Sequence, residues 1–277
     1  MEKNRWRGAA RGAAFLLLTA VLLVIYLTAM LFGRRVTARV RRAWCGGTCW
    51  LLGVRIGCSG RPFTDCPTLF VANHVSYIDI VALGAILDGT FIAKAEVAGW
   101  PLFGQLGRLT RTFFVRRHWR QARIQRNDLA ARMRADESFV LFAEGTSTDG
   151  LTVHRLKTSL LSVAEPWILD CPVAVQGVTL AYVRLADGTP VNPSNCDLYA
   201  WHGDAELLPH LWNVLQMTGV ELQVSIHEPV LSWSVQSRKV LGRQLRDELA
   251  GQLAASYAAA REPAPGALTQ AVTAEAH

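Results

Sequence analysis

The chain begins with an apolar segment that differs from everything after it. Residues 13–33 read AAFLLLTAVLLVIYLTAMLFG, a run of 21 residues without a charged side chain. As a helix this run is about 31 Å long, close to the thickness of a bilayer core. A cleaved signal peptide has a shorter apolar region that ends at a small-residue cleavage site, whereas this run continues to Arg34 and Arg35. The pattern therefore predicts a retained membrane-anchoring helix.

A second apolar patch, residues 44–56, follows the anchor and is interrupted by glycines and by Arg55. It is too short and too broken to cross a bilayer. Its two tryptophans favour a position in the membrane interface, where indole rings are enriched. Residues 1–57 are therefore predicted to form a basic-flanked membrane anchor and interfacial segment.

Beyond residue 57, short apolar runs alternate with amphipathic stretches, which is typical of buried strands and helices in turn. Strands are predicted at residues 69–72, 91–93, 112–115, 139–143, 173–183 and 222–226, and helices at residues 117–133 and 235–260. The alternation predicts an α/β fold, a single catalytic domain with a central, mostly parallel sheet flanked by helices and preceded by the anchoring helix. The catalytic domain is assigned to residues 58–233, a C-terminal helix to 234–261 and a disordered tail to 262–277.

Positive charge is concentrated around the anchor. The chain has 29 Lys and Arg against 22 Asp and Glu, yet nine of those basic residues and only one acid lie in residues 1–42. A nucleic-acid-binding domain spreads its basic excess over a folded face, whereas this excess brackets an apolar segment and indicates a membrane. A composition of 51% hydrophobic and 18% charged residues excludes a disordered protein. The six cysteines lack zinc-ligand spacing, so neither a metal site nor a disulfide is predicted.

The first candidate for chemistry follows the strand at 69–72, where the segment NHVSYID occupies residues 73–79. If His74 lies in a strand-to-helix turn, the carboxylate of Asp79 can fold back to the imidazole. In such a dyad Asp79 fixes the tautomer and His74 takes a proton from a hydroxyl. The alternative is a capping box, in which Ser76 begins the helix and Asp79 accepts hydrogen bonds from backbone amides. The segment alone leaves both interpretations open.

Three further blocks follow this segment in order. They are Lys94-Ala95-Glu96 with Gly99 to Gly104, Phe113-Phe114-Val115-Arg116, and Phe142-Ala143-Glu144-Gly145-Thr146-Ser147. With the His74 segment they resemble the blocks of the glycerolipid acyltransferase family, typified by lysophosphatidic acid acyltransferases, over residues 60–185. The resemblance implies transfer of a fatty acyl group from a thioester of acyl carrier protein or coenzyme A to the hydroxyl of a lysolipid.

The resemblance also implies roles for individual residues. His74 is the implied general base and Asp79 its orienting partner, with direct attack by the hydroxyl and no covalent acyl-enzyme. The residues implied on the substrate side are Asn73, Lys94, Arg116, Glu144, Gly145 and Thr146. No cofactor is implied beyond the thioester co-substrate. The implied partners are membrane lipids and acyl carrier protein, without nucleic acid, and the implied location is the bacterial inner membrane with the catalytic domain in the cytoplasm.

Two departures from the family pattern narrow the acceptor. Ala143 stands where the family has Pro, and Ser147 stands where it has an Arg that is interpreted as a phosphate ligand. Because Ser carries no positive charge, the acceptor is expected to lack a phosphate monoester. Residues 97–104, 144–150 and 201–212 further resemble the lyso-ornithine lipid O-acyltransferases, whose acceptor contains no phosphorus.

Three functions stay open from the sequence: acylation of lyso-ornithine lipid, acylation of lysophosphatidate to phosphatidate, and a catalytically inactive membrane scaffold. If the acceptor is lyso-ornithine lipid, Asp204 and Glu206 are candidates for binding the ornithine ammonium. His202 and His210 are expected to cap or pack rather than to catalyse. The sequence leaves the oligomeric state open.

An arginine-rich stretch is the last feature, with nine arginines and a single acid between residues 108 and 134. One interpretation is an ordinary solvated helix face. The other is a docking surface for acidic acyl carrier protein or for anionic lipid headgroups, with Arg120, Arg123 and Arg126 as the candidate contacts.

Overall fold

A seven-stranded sheet forms the centre of the computed structural model, which describes residues 3–100, 103–116, 119–169 and 171–262. The strands are β1 Val54–Ser59, β2 Thr68–Ala72, β3 Thr90–Lys94, β4 Phe113–Val115, β5 Phe139–Phe142, β6 Ala174–Leu185 and β7 Val220–Leu231. Their order across the sheet is β1-β7-β6-β2-β5-β3-β4, and every neighbouring pair is parallel except β6 with β7. The predicted mostly parallel α/β sheet is confirmed, and all six predicted strands are present.

Within the described ranges, seven α-helices surround the sheet. They are α1 Arg5–Ala29, α2 Arg34–Leu52, α3 Ile78–Ile86, α4 Phe103–Leu109, α5 Ala122–Arg134, α6 Leu207–Gln216 and α7 Arg238–Arg261. The helix predicted at 117–133 begins five residues later as α5, and residues 117–118 lie outside the described part of the chain. The tail predicted to be disordered also lies outside it from residue 263 onward. The sequence patterns did not predict β1, α4 or α6.

Connection handedness assigns the helices to two faces. The connection between two parallel strands is almost always right-handed. A helix that connects one strand to the next therefore covers one face of the sheet when the chain advances toward one edge, and the other face when the chain advances toward the opposite edge. From β2 to β3 and on to β4 the chain moves in one direction, which places α3 and α4 on one face. From β4 to β5 and on to β6 it moves back, which places α5 and the single-turn segment Leu160–Ala164 on the other. The helix α7 packs on β6 and on that segment, whereas α2 packs on α3.

The helices α1 and α2 form an antiparallel hairpin that turns at Gly33, whose φ of +91° is a conformation that favours glycine. The outer side of α1 is apolar and exposed, since 64% of Leu16 and 64% of Val24 remain accessible. Among the described residues, only Arg5–Phe32 is long and apolar enough to cross a membrane, judged by length and composition.

Both ends of α1 are attached to the catalytic domain. Near its beginning, Arg11 Nη1 donates a hydrogen bond of 2.6 Å to the carbonyl of Met217, just beyond the end of α6. Near its end, the hydroxyl of Tyr26 donates to the carbonyl of Leu109, the last residue of α4. The anchor therefore lies along the domain and does not project from it.

Residues 44–56, predicted to be an interfacial segment, form the end of α2 and the beginning of β1. Most of this patch belongs to α2, which buries Cys45, Cys49 and Leu52 in the core beside α3. These positions follow the i, i+4, i+7 spacing of a helix with one buried face. Of the two tryptophans only Trp50 is widely exposed. The patch ends in β1, so the sheet begins before the predicted domain boundary at residue 57.

Candidate active site

The parallel strands bring the predicted site residues to one edge of the sheet. His74 lies two residues after β2, Lys94 ends β3, Arg116 follows β4 and Glu144 comes shortly after β5. Because the carboxyl ends of parallel strands meet at the same edge, blocks that are far apart in sequence become neighbours there. This edge is the candidate active site.

His74 and Asp79 are in direct contact. The distance from His74 Nδ1 to Asp79 Oδ2 is 2.8 Å, and the same oxygen accepts the backbone N–H groups of Val75 at 2.7 Å and Ser76 at 2.9 Å. Asp79 lies in the first turn of α3, close to backbone N–H groups that have no partner within the helix. The two interpretations of the segment are therefore compatible. The carboxylate of Asp79 bonds the ring of His74 and also accepts hydrogen bonds from backbone amides just before α3.

The second oxygen of Asp79 accepts a hydrogen bond of 2.7 Å from the hydroxyl of Tyr182 on β6. Burial raises the pKa of Tyr182 well above its usual range, and the neighbouring Asp79 raises it further, so this hydroxyl stays a donor. Asp79 itself is fully buried. Sequence reasoning missed Tyr182, although a lone tyrosine in the apolar run of β6 signals a buried hydroxyl that needs a partner.

The backbone and ring of His74 are also held in place. Its N–H donates to Glu144 Oε1 at 2.9 Å, and its carbonyl accepts the N–H of Thr148 at 2.9 Å. Its ring stacks on Phe142, with centroids 4.0 Å apart and planes inclined by 17°. A carboxylate only accepts, so Nδ1 carries the proton and Nε2 is left as the acceptor nitrogen. The His74 side chain is 17% exposed, which leaves the ring partly open to solvent.

Two residues implied on the substrate side instead contact the protein. The amide of Asn73 pairs with the backbone of Leu180, donating to its carbonyl at 2.9 Å and accepting its N–H at 2.8 Å. Glu144 bridges two loops, because its second oxygen accepts the N–H of His154 at 2.8 Å. Burial raises the pKa of Glu144, although the two backbone donors act in the opposite direction. Both residues therefore position the catalytic loop, and the substrate contact that the resemblance implies for them stays a prediction.

The other substrate-side residues line the rim of the site. Arg116 and Thr146 are exposed at the carboxyl ends of β4 and β5, and Lys94 is half-buried at the end of β3. Gly145 has a φ of +75°, a conformation that favours glycine and turns the chain back after Glu144. The rim therefore contains the basic side chains, and Gly145 supplies the turn that shapes it.

An acidic loop, residues 201–206, borders the catalytic loop. The N–H of Trp201 donates to the carbonyl of Val75 at 2.9 Å, which attaches this loop next to His74. Asp204 and Glu206 are exposed on it. The charge of the site rim is therefore divided, with basic residues beyond β3 and β4 and acidic residues on this loop.

Aromatic rings and histidines complete that side of the site. The ring of Trp201 packs edge-on against Tyr77 and Trp100, with centroids 5.9 Å and 6.5 Å apart. His210 bonds the hydroxyl of Tyr77 at 3.1 Å, and burial lowers the pKa of this histidine. His202 bonds Asp197 at 2.9 Å. Both histidines therefore have packing and pairing contacts, as expected from the sequence.

Within the described residues, no three His, Cys, Asp or Glu side chains are grouped to hold a metal ion. The six cysteines are unpaired. The site itself offers an oriented imidazole beside charged and aromatic side chains.

Comparison with known proteins agrees with this arrangement. A profile of the acyltransferase family matches residues 56–176. The chain is 40% identical over 206 residues to the lyso-ornithine lipid O-acyltransferase of Brucella abortus, covering 72% of this chain and 76% of that protein. It is 33% identical over 272 residues to the enzyme of the same name from Rhizobium meliloti, covering 95% and 93% respectively.

A solved structure shares the fold. The crystal structure of the 1-acyl-sn-glycerophosphate acyltransferase from Thermotoga maritima matches with a TM-score of 0.61 at 19% identity, covering 88% of this chain and 96% of that one. The likeness extends over most of the chain described above. The two relatives and the family profile show that the chain belongs to the acyltransferase family, as an enzyme that acylates the hydroxyl of a lysolipid.

Proposed function

We propose that the chain is a lyso-ornithine lipid O-acyltransferase that takes its acyl group from the thioester of acyl carrier protein. The observation that carries the chemistry is the His74–Asp79 contact of 2.8 Å at the carboxyl edge of the sheet. The observations that favour the acceptor are Ser147 in place of an arginine and the names of the two relatives.

The reaction follows from the imidazole geometry. With Nδ1–H donated to Asp79, Nε2 of His74 accepts the proton of the acceptor hydroxyl while that oxygen attacks the thioester carbonyl carbon. The new C–O bond forms and the C–S bond breaks. The proton then moves from the imidazolium to the sulfur, which leaves as a thiol. Asp79 stabilises the imidazolium formed between these two transfers.

The divided rim fits an acceptor with two opposite charges. An N-acylated ornithine presents a carboxylate and an ammonium group. In this proposal Arg116 pairs with the carboxylate, and Asp204 and Glu206 pair with the ammonium; all three side chains are exposed. A guanidinium binds a carboxylate through two parallel hydrogen bonds, which also orients it. Lysophosphatidate offers only negative charge, and its phosphate would gain nothing from the acidic loop.

A comparison of acceptors tests this proposal. Membranes that contain the chain are assayed with lyso-ornithine lipid and lysophosphatidate under the same donor conditions. We expect higher kcat/KM for lyso-ornithine lipid. Preference for lysophosphatidate would instead identify phosphatidate as the product and overturn the proposed acceptor.

A catalytic-residue variant separates an enzyme from a scaffold. His74→Ala removes the base, and we expect transfer to fall by roughly 10²–10⁴-fold with unchanged membrane association. His202→Ala is the matched control, because this histidine pairs with Asp197 away from the dyad. Equal activity of wild type and His74→Ala would contradict a catalytic role for the imidazole.

We further propose that α1 lies in one leaflet of the bacterial inner membrane and that the catalytic domain faces the cytoplasm. The support is that Arg11 and Tyr26, at opposite ends of α1, both bond the same domain. A helix that crossed the bilayer would separate one of these ends from that domain. An epitope tag at the N-terminus, probed in spheroplasts and inverted vesicles, should react only in the inverted vesicles. Reaction in intact spheroplasts would indicate a crossing helix.

A further inference from the structure

A cleft of about 510 Å³ opens between α5 and the beginning of α7. We call it the basic cleft. Its lining includes Arg123, Arg126, Arg238, Ser159, Ser162 and Trp167. None of the described residues that line it is an Asp or a Glu. The cleft therefore gathers arginines from two helices that are more than a hundred residues apart in sequence.

The surface around the basic cleft combines charge with exposed apolar groups. Trp167 is 68% exposed and Ile124, on α5 beside Arg123, is 61% exposed. Arginine and tryptophan are the residue types most enriched among those that dominate the energy of protein–protein interfaces. An anionic small molecule needs only the arginines, whereas the exposed apolar groups favour a protein surface.

The basic cleft lies on the face of the sheet opposite the hairpin. The helices α5 and α7 cover one face, and α2 with α3 covers the other, where α1 adds its exposed apolar side. Lipid headgroups are met on the side of α1. The basic cleft and the exposed apolar side of α1 are therefore assigned to opposite faces of the sheet, which disfavours the lipid-headgroup interpretation of this basic stretch.

The lining of the basic cleft is linked to the catalytic edge of the sheet through sequence neighbours and one backbone hydrogen bond. Ser159, which lines it, is two residues from Lys157, whose N–H donates to the carbonyl of Ala143 at 2.8 Å. Ala143 directly precedes Glu144, which holds the backbone of His74. A carrier seated in the cleft is therefore connected to the active site by a short path around the end of β5.

From these observations we infer that the basic cleft is the docking surface for the acidic protein that carries the acyl thioester. This inference rests on the proposed use of acyl carrier protein as donor. The arginines attract and orient the acidic partner, and the apolar groups beside them supply the contact area. The flexible arm of the carrier then delivers the thioester to His74 over the edge of the sheet.

The test is a paired charge reversal assayed with two donors. The docking variant is Arg123→Glu/Arg126→Glu, and the control is Arg55→Glu/Arg61→Glu, which changes the net charge equally at exposed arginines in β1 and the loop after it. Each is assayed with palmitoyl-acyl carrier protein and with palmitoyl-pantetheine, which has no protein partner. We expect the docking variant to raise KM for the carrier-protein donor at least about tenfold and to flatten its salt dependence. Its kinetics with palmitoyl-pantetheine should match wild type.

Binding gives a second readout without turnover. Unacylated acyl carrier protein, titrated onto the His74→Ala enzyme in nanodiscs, should bind and lose affinity when Arg123 and Arg126 are reversed. An equal KM rise in the control variant, or an equal loss with palmitoyl-pantetheine, would overturn the docking surface while leaving the proposed function intact. If wild type transfers nothing from palmitoyl-acyl carrier protein, the proposed donor and this inference both fail.

Discussion

The catalytic loop and the rim of the site are built in opposite ways. In the catalytic loop Asn73, Asp79 and Glu144 are at most 4% exposed, and their polar side-chain atoms are hydrogen-bonded to the protein. On the rim Arg116 and Glu206 are exposed to solvent. Folding alone therefore fixes the geometry of the proton transfer, whereas the rim residues are available to a substrate. Changes in the loop should alter kcat, and changes on the rim should alter KM.

The largest effect is expected from Asp79→Asn. An asparagine oxygen can still accept from His74, and its amide can donate to the Tyr182 hydroxyl, so the fold of the loop is largely kept. The lost charge no longer stabilises the imidazolium, and kcat should fall roughly a thousandfold. Single-turnover assays measure this fall, with Asp128→Asn on the exposed face of α5 as the control. A change confined to KM would contradict the assignment of Asp79 to the chemical step.

The second-largest effect on kinetics is expected from a change on the rim of the site. Arg116→Ala removes the proposed partner of the ornithine carboxylate, and a hydrogen-bonded charge pair of this kind is worth about 1.5–3 kcal/mol. KM for lyso-ornithine lipid should rise about 10–100-fold with kcat nearly unchanged. Arg61→Ala, at an exposed arginine in the loop after β1, is the control. A fall in kcat without a rise in KM would move Arg116 from acceptor binding to the chemical step.

The same contrast explains how far the sequence could predict the site. The contact between His74 and Asp79 follows from five residues of local chain and a strand-to-helix turn, so the sequence predicted it. Tyr182 reaches Asp79 from a strand more than a hundred residues away, and only the sheet order places it there. The motif of Glu144 implied substrate binding, but a motif does not show that the carboxylate also accepts from the backbone of His74 and His154.

The secondary-structure elements were also predicted where a local pattern specifies them and missed where tertiary packing does. The apolar runs predicted every strand whose faces are buried, but the edge strand β1 has mixed polarity and was missed. Gly46 and Gly47 in α2, with Gly53 and Arg55 just beyond its end, concealed a helix with one buried face. Tertiary packing against α3 stabilises this helix, which local propensity does not favour.

An intermediate effect is expected from Glu144→Gln. Glutamine offers one acceptor oxygen, so either the N–H of His74 or that of His154 loses its partner. The free energy of unfolding should fall by about 1–3 kcal/mol, and kcat by roughly tenfold. Thermal unfolding and steady-state assays measure the two losses. Unchanged kcat would show that the bond to the His74 backbone does not orient the ring.

The stability loss of Glu144→Gln should also depend on pH. Burial raises the pKa of Glu144 above its ordinary value of 4.5, so the folded state binds this proton more readily than the unfolded state. The stabilisation from that proton is present below the ordinary pKa and is lost as pH rises through the folded pKa. The stability gap between wild type and variant should therefore narrow from acid toward neutral pH. If the difference in unfolding free energy instead widens toward neutral pH, the pKa of Glu144 is lowered on folding and not raised.

The smallest effect on turnover is expected from Tyr182→Phe, which removes one hydrogen bond to Asp79 and leaves the imidazole contact in place. A hydrogen bond to a charged group is worth about 1.5–3 kcal/mol of unfolding free energy, and kcat should fall only a few-fold because the other oxygen of Asp79 still holds His74. Tyr257→Phe is the control, since that buried hydroxyl bonds the neutral carbonyl of Gly150 at 3.0 Å. It should cost about 1 kcal/mol of stability and leave kcat unchanged. If Tyr182 acts through Asp79, its effect on kcat should largely disappear in an Asp79→Asn background, and full additivity in the double mutant would show that the two residues act independently.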